Sequence, residues 1–189
     1  MRKLLKALLT AMAVVVLTAG MGLWVPATAQ AHSTCAVRWG SLPKAGPELA
    51  MTTAPIVDVR AGRHACFDRL VVDVAGSLAD AYDVRYVPAV LADGTGNVVP
   101  LRGGAFLHVL VRSPVYDLET GAQTYRFANG QELVGVGGAR TFRQVAYGGS
   151  FEGQTTIGLG VRARLPFRTF VLAGPGSGSR LVIDVAHRW

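Results

Sequence analysis

One seven-residue phrase occurs twice in this chain. Arg69-Leu70-Val71-Val72-Asp73-Val74-Ala75 returns at the far end as Arg180-Leu181-Val182-Ile183-Asp184-Val185-Ala186, with Ile183 in place of Val72 as the single change. In an extended chain successive side chains point to opposite faces, so Leu70, Val72 and Val74 share one face and Arg69, Val71 and Asp73 the other. The β-branched content favours strand over helix. Two such strands so far apart predict a sheet whose core strands come from the first and last thirds of the chain.

The rest of the chain keeps that character. Alternating or β-branched runs predict strands at Val37–Pro43 (an edge strand), Ile56–Arg60, Tyr82–Val87, Phe106–Val111, Glu132–Val136, Thr141–Tyr147, Gln154–Val161 and Leu165–Leu172. Between them lie a surface connection over Lys44–Pro55 and a hairpin-like turn at Ala61–His64. Asp93–Asn97 and Gly174–Ser179 read as turns, and Tyr116–Gly130 as a long loop. Eight to ten short strands, with turn signals every ten or so residues and no amphipathic helix beyond the N-terminal segment, predict an all-β, single-domain antiparallel sandwich.

The first segment stands apart. Arg2, Lys3 and Lys6 precede an apolar run through Leu23, and Pro26 leads to Ala29-Gln30-Ala31, a small-residue cleavage pattern. This predicts a cleaved signal peptide over residues 1–31 and a mature domain over 32–189, secreted or extracellular and possibly wall-associated. The alternative is a retained membrane anchor, since Leu4–Leu23 is about long enough to span. Residues 32–34 lack the run that a lipidation site at Cys35 requires.

Of 19 cations, the three at Arg2, Lys3 and Lys6 would leave with the signal, so the mature chain carries 16 against 12 acids, net +4. All but Lys44 are Arg, which pairs bidentately with carboxylates and phosphates and stacks on rings. A mild positive charge suits an acidic envelope polymer. Nucleic acid requires a dense basic face with stacking aromatics, and none is legible.

Cys35 and Cys66 are the two cysteines. In an exported chain an even pair reads first as a disulfide. Closing about thirty residues stabilises by roughly 3–4 kcal/mol on the loop-entropy account. The competing reading joins His32, Cys35, His64 and Cys66 in a metal site, which oxidation of the thiols would remove. A further alternative uses His32, exposed as the first residue by cleavage, with His108 to brace copper for polysaccharide oxidation.

No hydrolase constellation is present. Ser150 in Gly148-Gly149-Ser150-Phe151-Glu152 lacks the closing Gly of a nucleophile elbow, and Gly135-x-Gly137-Gly138 lacks the third Gly of a dinucleotide loop. Asp73 and Asp184 resemble a carboxylate pair, yet each has an Arg on its own face of the strand, Arg69 and Arg180, with which to pair. Binding chemistry is expected where guanidinium meets ring: Arg85 with Tyr82 and Tyr86, Arg143 with Phe142 and Tyr147, and Arg168 with Phe167 and Phe170. The competing role for each ring is the sandwich core.

Together Trp39-Gly40-Ser41-Leu42, the strand from Cys66 to Val74, Tyr82-x-Val84-x-Tyr86-Val87, Phe151-Glu152-Gly153-Gln154-Thr155, Pro166-Phe167-Arg168-x-Phe170 and Arg180–Val185 resemble the AMIN-like domain. That domain occurs in exported proteins of high-GC Gram-positive bacteria. It is named for similarity to the AMIN domain, which targets cell-wall amidases and secretin components to the envelope. The resemblance implies a β-sandwich that binds or localises at peptidoglycan or another wall glycopolymer, without catalysis and without a cofactor. A module recruiting an envelope protein through its sheet edges is the alternative.

Overall fold

The computed structural model describes residues 35–47, 52–77 and 79–189. The signal peptide, the alternative anchor and His32 lie outside the described residues. Nine strands are present among those described: β1 (Lys44–Ala45), β2 (Ile56–Arg63), β3 (Phe67–Val74), β4 (Tyr82–Val87), β5 (Ala105–Val111), β6 (Phe142–Phe151), β7 (Gln154–Val161), β8 (Phe167–Ala173) and β9 (Ser179–Ala186). They form a five-stranded sheet in the order β1-β4-β5-β7-β6 and a four-stranded sheet in the order β2-β3-β9-β8, antiparallel throughout. This is the expected all-β sandwich.

The repeated phrase builds the centre of the four-stranded sheet. Its two copies pair antiparallel, Val71 opposite Val182, so that Arg69 faces Asp184 and Asp73 faces Arg180. The pairing is self-complementary about the Val71–Val182 position. Leu70, Val72, Val74, Leu181, Ile183 and Val185 turn inward, where they join Val84, Leu107, Val109, Ile157 and Leu159 in one buried cluster. Each such side chain contributes about 1.5–3 kcal/mol by leaving water. Two tyrosines of β4 stitch the sheets together. The Tyr82 hydroxyl shares a hydrogen bond with Thr169 Oγ1 at 2.9 Å, and the Tyr86 hydroxyl donates to the Leu165 carbonyl while accepting the Leu165 N–H.

The two outer faces differ. Residues 88–104 fold back over the outside of the five-stranded sheet, where Val90 and Val99 pack on Ala146 beside Leu101 and Phe106. Glycines in β7 make room: a Cβ on Gly160 would lie 2.0 Å from the Arg102 carbonyl oxygen, and one on Gly158 would lie 2.9 Å from Leu101 Cδ1. This explains why β7 is buried on both faces. His108 stands on that covered face opposite Arg85, with its Nδ1 buried and without a partner among the described residues.

The N-terminal segment closes one end of the other sheet. Cys35 and Cys66 form a disulfide, the first of the two sequence readings. Asp68, just ahead of the first repeat, is fully buried and accepts the backbone N–H groups of Thr141 and Phe142; it also lies 3.0 Å from His187 Nε2.

Several local expectations are corrected. Residues 37–43 pass along the sheet end without ladder pairing, held by the disulfide and by the Gly40 carbonyl accepting the Phe167 N–H, while the pairing falls in β1, inside the expected surface connection. Residues 132–136 are irregular chain with a bend at 133–134, not a strand; the Leu133 N–H donates to the Val145 carbonyl without starting a ladder, and the neighbouring glycines favour bending. β2 runs through Arg63 because its ladder with β3 continues past Ala61.

Candidate functional site: the outer face of the four-stranded sheet

With the five-stranded sheet covered, the outward positions of β2, β3, β9 and β8 make the broad face of the domain. The alternation that buries Leu70 and Ile183 sends Phe67, Arg69, Val71 and Asp73 outward from β3. It sends Arg180, Val182 and Asp184 outward from β9, and Arg168, Phe170 and Leu172 from β8.

Asp184 is fully buried and accepts from two strands at once. Arg69 Nε and Nη2 reach its two oxygens at 2.7 and 2.9 Å, and Arg168 Nε reaches it at 2.8 Å. A buried carboxylate is tolerated only when its charge is matched and its lone pairs are filled. The bonded Asp184 carboxylate holds the Arg69 guanidinium above its ordinary pKa, against the opposing effect of burial.

Rings cover the two cations. The Arg168 guanidinium lies 4.4 Å from the Trp39 ring centre, 5.1 Å from Phe170 and 5.5 Å from Phe67. Arg69 lies 5.2 Å from Phe67 and 5.4 Å from Phe170. Trp39 meets Phe67 edge-on at 5.6 Å, and His64 stacks on Phe67 at 4.5 Å. Such contacts supply about 0.5–2 kcal/mol each, more as water is excluded. Among the described residues Arg168 bonds only through Nε, so its two terminal amino groups remain available to a ligand.

At the other end of the face is a cleft of about 830 Å³, walled by Asp58, Arg60, Asp73, Arg180 and the β8–β9 hairpin. Here Arg60 takes both oxygens of Asp73 at 2.7–2.9 Å. The expected same-strand pairs are thus corrected: Asp73 pairs with Arg60 of β2, and Asp184 with Arg69 and Arg168. Asp184 pairs with the two residues that face it across its ladders, whereas Asp73, which faces Asp58 and Arg180, is reached diagonally by Arg60, the residue opposite Val71.

The residues expected to bind do not form one surface. Tyr82 and Tyr86 point into the core, whereas Arg85 points out from the same strand and pairs with Asp83 at 3.1 Å. Arg143 donates to the Phe142 and Arg140 carbonyls, and Tyr147 packs on Phe127 at 4.9 Å. Arg168 does sit on Phe170 as expected, while Phe167 is fully buried. Trp39, Phe67 and Arg69 are not among the binding residues expected from the sequence. The signal for Arg69 lies in the repeated phrase, since pairing one copy with the other places an Asp opposite an Arg, while Trp39 and Phe67 lie outside that phrase.

Among the described residues no group of three or more His, Cys, Asp and Glu is placed to hold a metal ion. The metal reading at Cys35 and Cys66 is corrected by the disulfide.

The AMIN-like domain family matches residues 54–187. The chain belongs to that family. Membership points to a non-enzymatic cell-envelope module of a kind found in exported proteins, and the disulfide fits an oxidising, extracellular setting. No curated protein matches the chain.

Proposed function

We propose that this AMIN-like domain engages an acidic wall polymer, peptidoglycan or another wall glycopolymer, without catalysis, through the outer face of its four-stranded sheet. One observation carries the reading: Arg168 is held by a buried carboxylate and by three rings, yet both its terminal amino groups are unbonded among the described residues. Sugar rings stack on aromatic faces, and carboxylates or phosphates pair with a fixed guanidinium. Trp39 supplies the stacking surface and Arg168 the charge. Arg85 and Arg143, on other surfaces, are the comparison positions.

The test is co-sedimentation of the purified protein with insoluble cell wall across a salt series. Saturable binding that weakens as salt rises, and falls in Arg168→Gln but not in Arg85→Gln or Arg143→Gln, supports this face. No binding at low salt overturns it. A second reading has its own support. β2 is an eight-residue edge strand with no partner on its far side among the described residues, open to strand addition by an envelope protein. Salt-insensitive binding to a protein, with none to isolated wall, would favour it.

A further inference from the structure

The two most exposed large apolar side chains among the described residues, Leu42 at 72% and Trp189 at 71%, stand at one end of the sandwich. It is the end where β3 and β8 begin and β9 finishes. Arg164 links them: its Nη2 donates to the carbonyl of Ser41, next to Leu42, and its own carbonyl accepts the Trp189 indole N–H at 3.2 Å. Arg162 donates to the carbonyl of His187, and Arg188 is exposed between His187 and Trp189. None of Arg38, Arg162, Arg164 and Arg188 is paired with a carboxylate among the described residues. Residues 35–47 and 161–189 hold one acid, Asp184, which is buried and bonded to Arg69 and Arg168. The opposite end has the reverse charge. Its loops at 91–98, 116–123 and 151–153 carry Asp93, Asp117, Glu119 and Glu152 and no Lys or Arg.

We infer that the basic end docks on an anionic phospholipid bilayer, with Leu42 and Trp189 entering the headgroup layer and Arg162, Arg164 and Arg188 meeting lipid phosphates. Tryptophan favours the boundary between lipid and water. Here its indole N–H is already bonded to Arg164, so the ring can leave water without stranding a donor. Arginine lays its stem along apolar surface while its head stays at the polar layer, and its fork fits phosphate oxygens. Arg162 and Arg164 are held by backbone carbonyls, which fix a guanidinium without neutralising it. Two protruding apolar residues are too few for the buried centre of a protein interface. Set among unpaired cations, they match the two contributions that interfacial attachment combines, shallow apolar insertion and attraction to anionic lipid. The polarity of the domain also orients it, since docking by the basic end turns the four acids away from the lipid charge. This surface is separate from the ring cluster around Arg168, and the inference does not rest on the wall-binding reading.

The experiment is fluorescence quenching with vesicles of brominated phosphatidylcholine, alone or mixed with an equal part of phosphatidylglycerol. Subtracting the signal of Trp189→Phe isolates residue 189, whatever else holds the chain to the vesicle. Trp189 should be quenched by the mixed vesicles, less as salt rises, and at least about tenfold more weakly by phosphatidylcholine alone. Arg162→Gln with Arg188→Gln should weaken the mixed-vesicle response about twenty-fivefold, at about fivefold per cation near an anionic surface. Leu42→Ser should weaken it about tenfold. Phe151→Ser, which removes an exposed ring from the acidic end, should leave it unchanged. Absence of quenching, equal quenching by neutral vesicles, or a response that survives L42S and the double Arg variant overturns the inference. So does self-association or protein capture that needs Trp189 in a protein whose Trp189 no lipid quenches. Wall binding intact in L42S, and vesicle quenching intact in R168Q, keep the two surfaces apart; loss of quenching in R168Q moves lipid contact to the ring face and overturns the assignment to this end.

Discussion

Arg69 and Asp184, 115 residues apart, meet through two hydrogen bonds of 2.7 and 2.9 Å on the central ladder of the four-stranded sheet. The carboxylate is fully buried, and both guanidiniums that reach it are partly open to water. Removing the anion therefore leaves two cations facing each other over an apolar layer. Asp184→Ala should destabilise the domain by about 3–5 kcal/mol, the range for breaking a buried pair. Arg168→Gln should have a much smaller effect, about 1 kcal/mol, because Arg69 still satisfies Asp184. Urea unfolding of the two variants measures the difference. Equal losses would mean that Arg168, not Arg69, holds the anion.

The disulfide is a second structural support. It closes a sequence separation of 31 residues and keeps Trp39 beside Phe67 and Arg168. The double Cys35→Ser, Cys66→Ser variant should lose about 3–4 kcal/mol. Its Trp emission should also shift as residue 39 leaves the rings. A denaturation curve unaffected by reductant would refute this.

Acid stability should depend on His108. Burial lowers its pKa below the ordinary value near 6.5, helped by Arg85, while Asp83 and Asp93 pull weakly the other way. The unfolded chain therefore binds the proton more readily than the folded one. Stability is fully present above about pH 6.5 and declines as pH falls below it toward the lower folded value. In His108→Gln that part of the decline should disappear. Thermal unfolding of both proteins between pH 7.5 and 5 tests this, and identical slopes would remove His108 from the account.

Tyr86→Phe removes one hydroxyl with two partners, the N–H and carbonyl of Leu165. An expected loss of about 1–3 kcal/mol follows, since both backbone groups lie partly buried and lose their partner together. Chemical denaturation reads it directly, and a change below about 0.5 kcal/mol would show that water replaces the hydroxyl.

Much of the sandwich was legible because period-two patterning is local. Gln154–Val161 and Tyr82–Val87 are strands with the expected bounds, and Asp93–Asn97 turns where Asp, Gly and Asn favour turning. Glu132–Val136 failed because short apolar runs beside glycines pattern alike in strand and turn. The candidate site was harder to see for a different reason. Asp184 and Arg69 look unrelated until the ladder register is known, and register is a tertiary property. The rings beside Arg85 were assigned by sequence neighbourhood, although adjacent strand residues point to opposite faces. Only Arg168 with Phe170, two positions apart, obeyed the rule that brings side chains together.

The β3–β9 ladder also sets an order of events. Its second strand, β9, follows the other three members of the four-stranded sheet in the chain, so that sheet lacks an interior member until residues 179–186 are available. Until then β2–β3 and β8 have nothing to join them, and the inward aliphatics of β3 have no neighbours on one side. A truncation before residue 180 therefore removes an interior strand and leaves β3 and β8 without the ladder that joins them.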